Sequence, residues 1–246
     1  MKYPVLLPNI FDHPFTYESE LKLEVGDYVK VNFGKKLITG VIWDQFEKNT
    51  SKQFRIKSIE KKINIKPLKR QTIEFLNWFS KYNIVPLGMV LKLHLLSGNA
   101  VEIQNQNEYQ KYQEINKKEQ FKLSKEQEIA LKEIIINNNS FRVHLLQGTT
   151  GSGKTIVYFN AIKKIIENQK QCLILLPEIG LTGEFEKKFK NFFGFEAAIW
   201  HSKITPKRKK IIWSGLANNE IKVVIGARSA LFLSLIHISE PTRHCT

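Results

Sequence analysis

Gly148-Thr149-Thr150-Gly151-Ser152-Gly153-Lys154-Thr155 decides the fold class of this chain. Glycine, four residues, then Gly-Lys-Thr is the phosphate-binding loop pattern, matched at every fixed position. Before it, Arg142-Val143-His144-Leu145-Leu146 is a short apolar run that reads as a buried strand. After it, Thr155 to about Asn168 places Tyr158, Ala161, Ile162 and Ile165 on one helical face. Strand, glycine loop and helix together aim free backbone N–H groups at a polyphosphate, and the helix dipole adds its positive end. In such a loop Lys154 supplies a point charge near the β- and γ-phosphates, and Thr155 a hydroxyl ligand for Mg²⁺.

The surrounding pattern extends the same fold. Ser124 is positioned as an N-cap with Gln127 at the capping-box position. The helix they open would bury Ala130, Leu131, Ile134 and Ile135. Downstream come an apolar strand at Cys172–Leu176, a helix carrying Phe185, Phe189 and Phe192, and a strand at Ala197–Trp200. Thr205-Pro206 then reads as a cap and first helical residue, opening a helix to about Leu216. Val223–Ile225 is the next strand. Strands alternating with helices predict an α/β lobe with a mainly parallel sheet, whose binding crevice lies at the carboxyl ends of the strands.

The first 60 or so residues read differently, as β-rich. Val29, Val31 and Phe33 alternate with Tyr28, Lys30 and Asn32, Phe33-Gly34-Lys35-Lys36 supplies a turn, and Leu37 to Trp43 returns as a second strand. The cations Lys30, Lys35, Lys36 and Lys57 lie close in sequence to Phe15, Tyr17, Tyr28 and Phe33. Aromatic faces stack bases while cations hold the backbone, so the mixture suits a nucleic-acid strand end, and it equally suits a plain barrel core. From Pro67, placed in the first turn of a helix, Ile73, Leu76 and Phe79 share a helical face. A second helical pattern, Val90-Leu91-His94-Leu95, follows Pro86-Leu87-Gly88, with His94 read as packing because no metal-ligand partner stands at helical spacing. Residues 99–122 are polar and read as a linker.

The 246 residues carry 38 Lys and Arg against 23 Asp and Glu, a formal charge of +15 that suggests an anionic partner such as nucleic acid. A Lys-, Asn- and Ile-rich composition also follows from an A/T-rich genome, so charge leaves both readings open. Two cysteines, Cys172 and Cys245, exclude a disulfide framework or a zinc cluster built from this chain. Cys172 reads as a small core residue. The proline-broken start lacks a signal peptide and no apolar run reaches membrane-spanning length, which predicts a cytoplasmic protein without membrane contact.

Three further stretches carry a resemblance. Leu175 to Thr182 (Leu-Leu-Pro-Glu-Ile-Gly-Leu-Thr) is similar to motif Ia of the primosomal replication-restart helicase family (PriA, primosomal protein N′). Val224 to Phe232 resembles its motif Ib, and Leu123 to Ala130 resembles the adenine-reading segment upstream of the phosphate loop. Phe15-Thr16-Tyr17, Val25-Gly26-Asp27, Asn32 to Lys35 and Tyr82 to Leu96 resemble the family's DNA 3′-end-binding domain. The domains implied are 1–98 for end binding, a 99–122 linker and 123–232 for a first RecA-like lobe. The resemblance implies an ATP-driven helicase moving 3′ to 5′, which recognises stalled or abandoned forks and promotes primosome assembly and replication restart. Its cofactors would be ATP and Mg²⁺. Its partners would be forked and single-stranded DNA with 3′ ends, other primosome proteins and single-stranded-DNA-binding protein.

Carried onto this chain, Gln127 would read adenine, and Gly148, Thr149, Thr150, Gly151, Ser152, Gly153, Lys154 and Thr155 would hold the nucleotide. Lys154 and Thr155 would serve catalysis. Pro177 and Glu178, with Gly226, Arg228 and Ser229, would touch the translocating strand, and Phe15, Gly34 and Lys57 would frame the terminal nucleotide. Thr16 stands where many members have aspartate, which puts the contact to the terminal 3′-OH in doubt. The stretch from Gly98 to Leu123 is short for the family's winged-helix domain, and motif II, the second lobe and the zinc-binding cysteines are not found. Leu233 to Arg243 resembles a translated sequencing adapter, so Leu233 to Thr246 is expected to be an assembly artefact that packs poorly and carries no site, the alternative being a divergent C-terminus. The chain by itself is therefore expected to be inactive as an ATPase. The alternative is an ATP-binding, non-motor DNA-binding module; a P-loop kinase or transporter ATPase is disfavoured by the Pro177–Thr182 and Gly226–Phe232 stretches.

Overall fold

The structure, a computed structural model, describes residues 1–44, 56–96, 109–112, 122–135, 142–177 and 183–233. Glu178, most of 99–122 and all of 234–246 lie outside the described residues. Contacts divide the chain into two compact units.

The first unit gathers Met1–Asn105, Thr205–Asn218 and Phe232–Ser234. Strands β1 (Lys2–Leu6), β2 (Phe15–Glu18), β3 (Tyr28–Phe33), β4 (Lys36–Ile42) and β5 (Lys57–Lys62) close a barrel in the order β1-β2-β5-β3-β4. Only β2 and β5 pair in parallel. The expected turn is present: Phe33 pairs with Lys36 around Gly34-Lys35, with Gly34 at φ 62°, as a two-residue hairpin requires. The alternation in β3 predicts one wet face, yet Tyr28, Val29, Lys30 and Val31 are all buried. Barrel closure takes Val29 and Val31 into the core. On the other face the Tyr28 ring meets Trp213 edge-on at 6.0 Å and its hydroxyl reaches His94 at 3.0 Å.

Helix α1 spans Arg70–Asn83 and α2 spans Leu87–Leu95. Pro67 does not lie in the first turn of α1. The Leu68 N–H donates to the Gly26 carbonyl at 2.8 Å and its side chain is buried, which holds the chain extended until Lys69. Ile73 and Leu76 are buried as expected, while Phe79 is half-buried against Phe232 at 4.9 Å.

His94 packs, as its sequence context predicts, and is fully buried. Nδ1 lies 2.9 Å from the Phe232 carbonyl, which can only accept, so Nδ1 carries the proton and Nε2 accepts from the Tyr28 hydroxyl. Burial pushes the imidazole down to about 4, opposed by the Phe232 hydrogen bond. The helix that follows in this unit, Pro206–Ala217, is capped by Thr205, whose Oγ1 accepts the Arg208 N–H at 3.3 Å. Its Trp213 Nε1–H donates to the His94 carbonyl at 2.8 Å. Leu233, expected in a poorly packed tail, is buried.

The second unit comprises Gln106–Ile204 and Asn219–Leu231 among the described residues. Helices α3 (Lys125–Ile135), α4 (Lys154–Glu167) and α5 (Gly183–Phe193) precede or separate strands β6 (Cys172–Leu175), β7 (Ala198–Trp200) and β8 (Val223–Gly226). With these in place the Pro206–Ala217 helix is α6. The sheet is parallel throughout, in the order β6-β8-β7, so β8 is central and wholly buried. One core joins Phe159 and Ile162 of α4 to Phe189, Phe192 and Phe193 of α5 and to Val223 and Ile225. Cys172 is half-buried, and burial raises its thiol to about 12, so it stays protonated. Within the polar stretch, Tyr109 precedes and Tyr112 closes a 3-10 turn, and both are buried.

Three expectations fall short here, each because burial depends on what packs alongside. Arg142–Leu146 is not a strand, and Val143 and Leu145 are 82% and 91% exposed. None of the described strands pairs with it, and a parallel strand gains both hydrogen bonds and burial from its neighbours. Helix α3 has no buried residue; Ala130, Leu131, Ile134 and Ile135 are half-covered along α4. On α4 itself Ala161 and Ile162 are buried as expected and Ile165 is half-buried, but Tyr158 is exposed while Val157 and Phe159, not predicted, are buried. The α5 phenylalanines decide this, four rings meeting Phe159 within 5.7 Å.

Candidate functional site

In the second unit the phosphate-loop residues run straight into α4. Gly153, at φ 80°, is the residue before the helix, a backbone conformation that side chains resist. The N–H groups of Lys154 and Thr155 begin the helix and have no carbonyl four residues back to bond. No acidic residue occupies the first turn. Lys154 Nζ folds over the loop, donating to the Gly148 carbonyl at 2.6 Å and the Thr149 carbonyl at 2.7 Å. A cleft of about 610 Å³ opens there, lined by Thr150 to Ile156 and, from the core side, by Phe159, Lys188, Asn191 and Phe192. Loop amides, a lysine and a hydroxyl, with no carboxylate among the described lining residues, are donors of the kind that suit a polyphosphate.

Gln127 is brought to this loop. Its Oε1 accepts the Ser124 N–H at 3.0 Å and the Ser124 Oγ accepts the Gln127 N–H at 3.3 Å, so the predicted capping box forms. Its Nε2 donates to the Ser152 carbonyl at 3.0 Å.

Helix α4 returns to β6 through four residues, so its N-terminal end lies toward the carboxyl end of that strand. The same end carries Pro177, exposed after β6, and Arg228 and Ser229, exposed after β8. Leu175 pairs with Gly226, and the Leu176 N–H donates to the Gly226 carbonyl at 3.0 Å, which joins the two loops. Gly226 itself is buried against Trp200.

In the first unit the expected aromatic and basic residues separate. Tyr17, Tyr28 and Lys30 are buried and face no solvent. The Tyr17 hydroxyl donates to the Asn32 carbonyl at 3.2 Å, and burial raises its phenol. Phe15 and Phe33 are half-buried on the barrel core, with Gly34, Lys35, Lys36 and Lys57 exposed. Lys57 Nζ donates to the Gly34 carbonyl at 3.3 Å, bringing two of the expected end-binding residues together. Sequence reasoning missed Phe11 and His13, whose rings join Phe15 at 5.3 and 4.9 Å. Their position two and four residues before Phe15 was the available signal.

A closed barrel followed by a parallel α/β lobe is the order of a binding module and a helicase-type lobe, and two family models match in that order. Residues 4–96 match the 3′ DNA-binding domain (3′BD) of PriA, and residues 120–243 match the type III restriction enzyme, res subunit. Replication restart protein PriA of Rickettsia prowazekii (strain Madrid E) is 36% identical over 235 residues, covering 93% of this chain and 35% of the relative. That of Helicobacter pylori (strain ATCC 700392 / 26695) is 44% identical over 113 residues, 46% of this chain and 18% of the relative. That of Bacillus subtilis (strain 168) is 37% identical over 118 residues, 47% and 15%. The chain belongs to the PriA replication-restart family, and it spans about a third of the length of its Rickettsia relatives.

Proposed function

We propose that this chain is the DNA-end-binding and ATP-binding part of a 3′-to-5′ DNA helicase that recognises stalled or abandoned forks and helps reload the replication machinery, acting in the cytoplasm. The observation that carries this reading is that the phosphate loop leads into α4, whose N-terminal end lies toward the same sheet end as the exposed Pro177, Arg228 and Ser229. Loop amides and Lys154 bind the polyphosphate, Thr155 shares the Mg²⁺, Gln127 reads the adenine, and Arg228 and Ser229 hold the strand by its phosphates. Mg²⁺ supplies charge neutralisation at the phosphates. Phe15, Gly34 and Lys57 receive the 3′ end. Other primosome proteins and single-stranded-DNA-binding protein are the protein partners that the family suggests. Among the described residues no helix is long and apolar enough to cross a membrane.

For the 246 residues alone we propose binding of Mg²⁺-ATP without turnover, because among the described residues no carboxylate lines the cleft to position metal and water. The test is Lys154→Ala. It should abolish binding of a fluorescent ATP analogue to this chain and strand displacement by a protein of the relatives' full length, while DNA-end binding persists. Loss of end binding in the same variant would refute the division between the two sites.

A further inference from the structure

Helix α5 supplies the second wall of the cleft at the phosphate loop, and its residue spacing explains how. Phe185, Phe189 and Phe192 form one stripe along the helix, and all three rings meet Phe159 of α4 within 5.7 Å. Lys188 and Asn191 each stand one residue before a ring of that stripe, so they share its flank, three residues apart. Packing of the rings against α4 therefore brings both side chains to the cleft of about 610 Å³, which they line together with Thr150 to Ile156.

The charges in this cleft are engaged in different ways. Among the described lining residues, Lys154 and Lys188 are the cations. Lys154 Nζ donates to two carbonyls of its own loop. Lys188 Nζ lies 2.7 Å from Glu184 Oε1, one turn back on α5, with the two side chains 60% and 74% exposed. An exposed pair at this spacing gains little, because water and salt screen it and two long side chains must be held still. A polyphosphate presents several charged oxygens, and its charge-assisted hydrogen bonds to an ammonium are strong ones. Lys187 and Lys190 of the same helix are not among the lining residues, and Lys190 reaches Glu196 at 3.1 Å. Position rather than general basicity singles out Lys188.

We propose that Lys188 is a phosphate-binding residue of the nucleotide site: its ammonium leaves Glu184 and holds the phosphate chain of a nucleoside triphosphate from the α5 side, with the Asn191 amide as a neighbouring donor. This rests on the reading of Gly148–Thr155 as an ATP-binding loop. Glu184 is then a competitor that holds the lysine until nucleotide displaces it. The ligand bridges the loop and α5, the two walls of the cleft.

The probes are a mant-labelled ATP titrated with the 246-residue chain and inorganic tripolyphosphate as competitor, which carries phosphates without a nucleoside. Lys188→Ala should weaken both by about five- to fiftyfold with the melting curve unchanged, and Lys188→Arg should keep most of the affinity. Glu184→Gln should tighten both by roughly twofold, and Lys187→Ala should change neither. Weakening of the labelled ATP alone, with tripolyphosphate unaffected, would overturn the phosphate contact. Equal weakening in Lys187→Ala would reduce the effect to net charge, and weaker binding in Glu184→Gln would overturn the competition. Unchanged affinity in Lys188→Ala, with binding lost in Lys154→Ala, would overturn the role of Lys188 while leaving the ATP-binding loop intact. No saturable binding of either probe to the unaltered chain would overturn the reading of the loop itself.

Discussion

The two units use comparable sequence signals and achieve different burial. In the barrel-led unit the amphipathic patterns are over-fulfilled: β3 is covered on both faces, and polar Lys30 and His94 are taken inside. In the phosphate-loop unit, α3 and Arg142–Leu146 carry equally clear apolar patterns that stay half or fully exposed. A periodic pattern records which face wants burial. It does not supply the partner, and closure of the barrel supplies one at every strand where the three-stranded sheet does not.

The largest test of this contrast is a pair of truncations. Leu76→Ala, at a fully buried position in α1, should cost about 2–5 kcal/mol, and Leu145→Ala should change stability by less than about 0.5 kcal/mol, both by urea unfolding. Comparable losses would mean that Arg142–Leu146 is buried in solution.

The next test uses acid. His94 is held neutral, with its folded value lowered to about 4 from the ordinary 6.5, so the unfolded chain binds the extra proton. Stability from this group is complete above pH 6.5, falls as pH drops, and is gone below about 4, a loss of roughly 3 kcal/mol. His94→Gln should flatten that slope in the first unit and leave the second unit's unfolding unchanged. A slope of the same steepness in the variant would remove His94 as its cause.

Smaller effects sharpen the picture. Thr205→Ala should cost about 1 kcal/mol through loss of the α6 cap, read from the thermal midpoint. Amide exchange should be faster throughout α3 than in β3, and equal protection would show that α3 is anchored as well as the barrel.

What was legible in the sequence was local. Gly-x₄-Gly-Lys-Thr, the Gly34 turn, the Thr205-Pro206 cap and the β7 and β8 runs each need only a few consecutive residues, and each is found. What was hidden depended on residues far apart in the chain. Trp213 reaches His94 across 119 positions, Lys30 and Tyr28 are covered because the barrel closes, and Phe159 of α4 is buried because four α5 rings meet it. The placement of Phe11 beside Phe15 followed the same rule, because it depends on α2 reaching back to residues 9–12.

One side chain serves two partners at once. Gln127 spends its carbonyl on the cap of α3 and its amide on the Ser152 carbonyl. Any adenine that claimed both groups would have to unfasten the start of α3 and loosen the loop in the same event. Occupancy of the nucleotide site would then be written into the fraying of a helix, and a probe on the first turn of α3 would report it without touching the ligand.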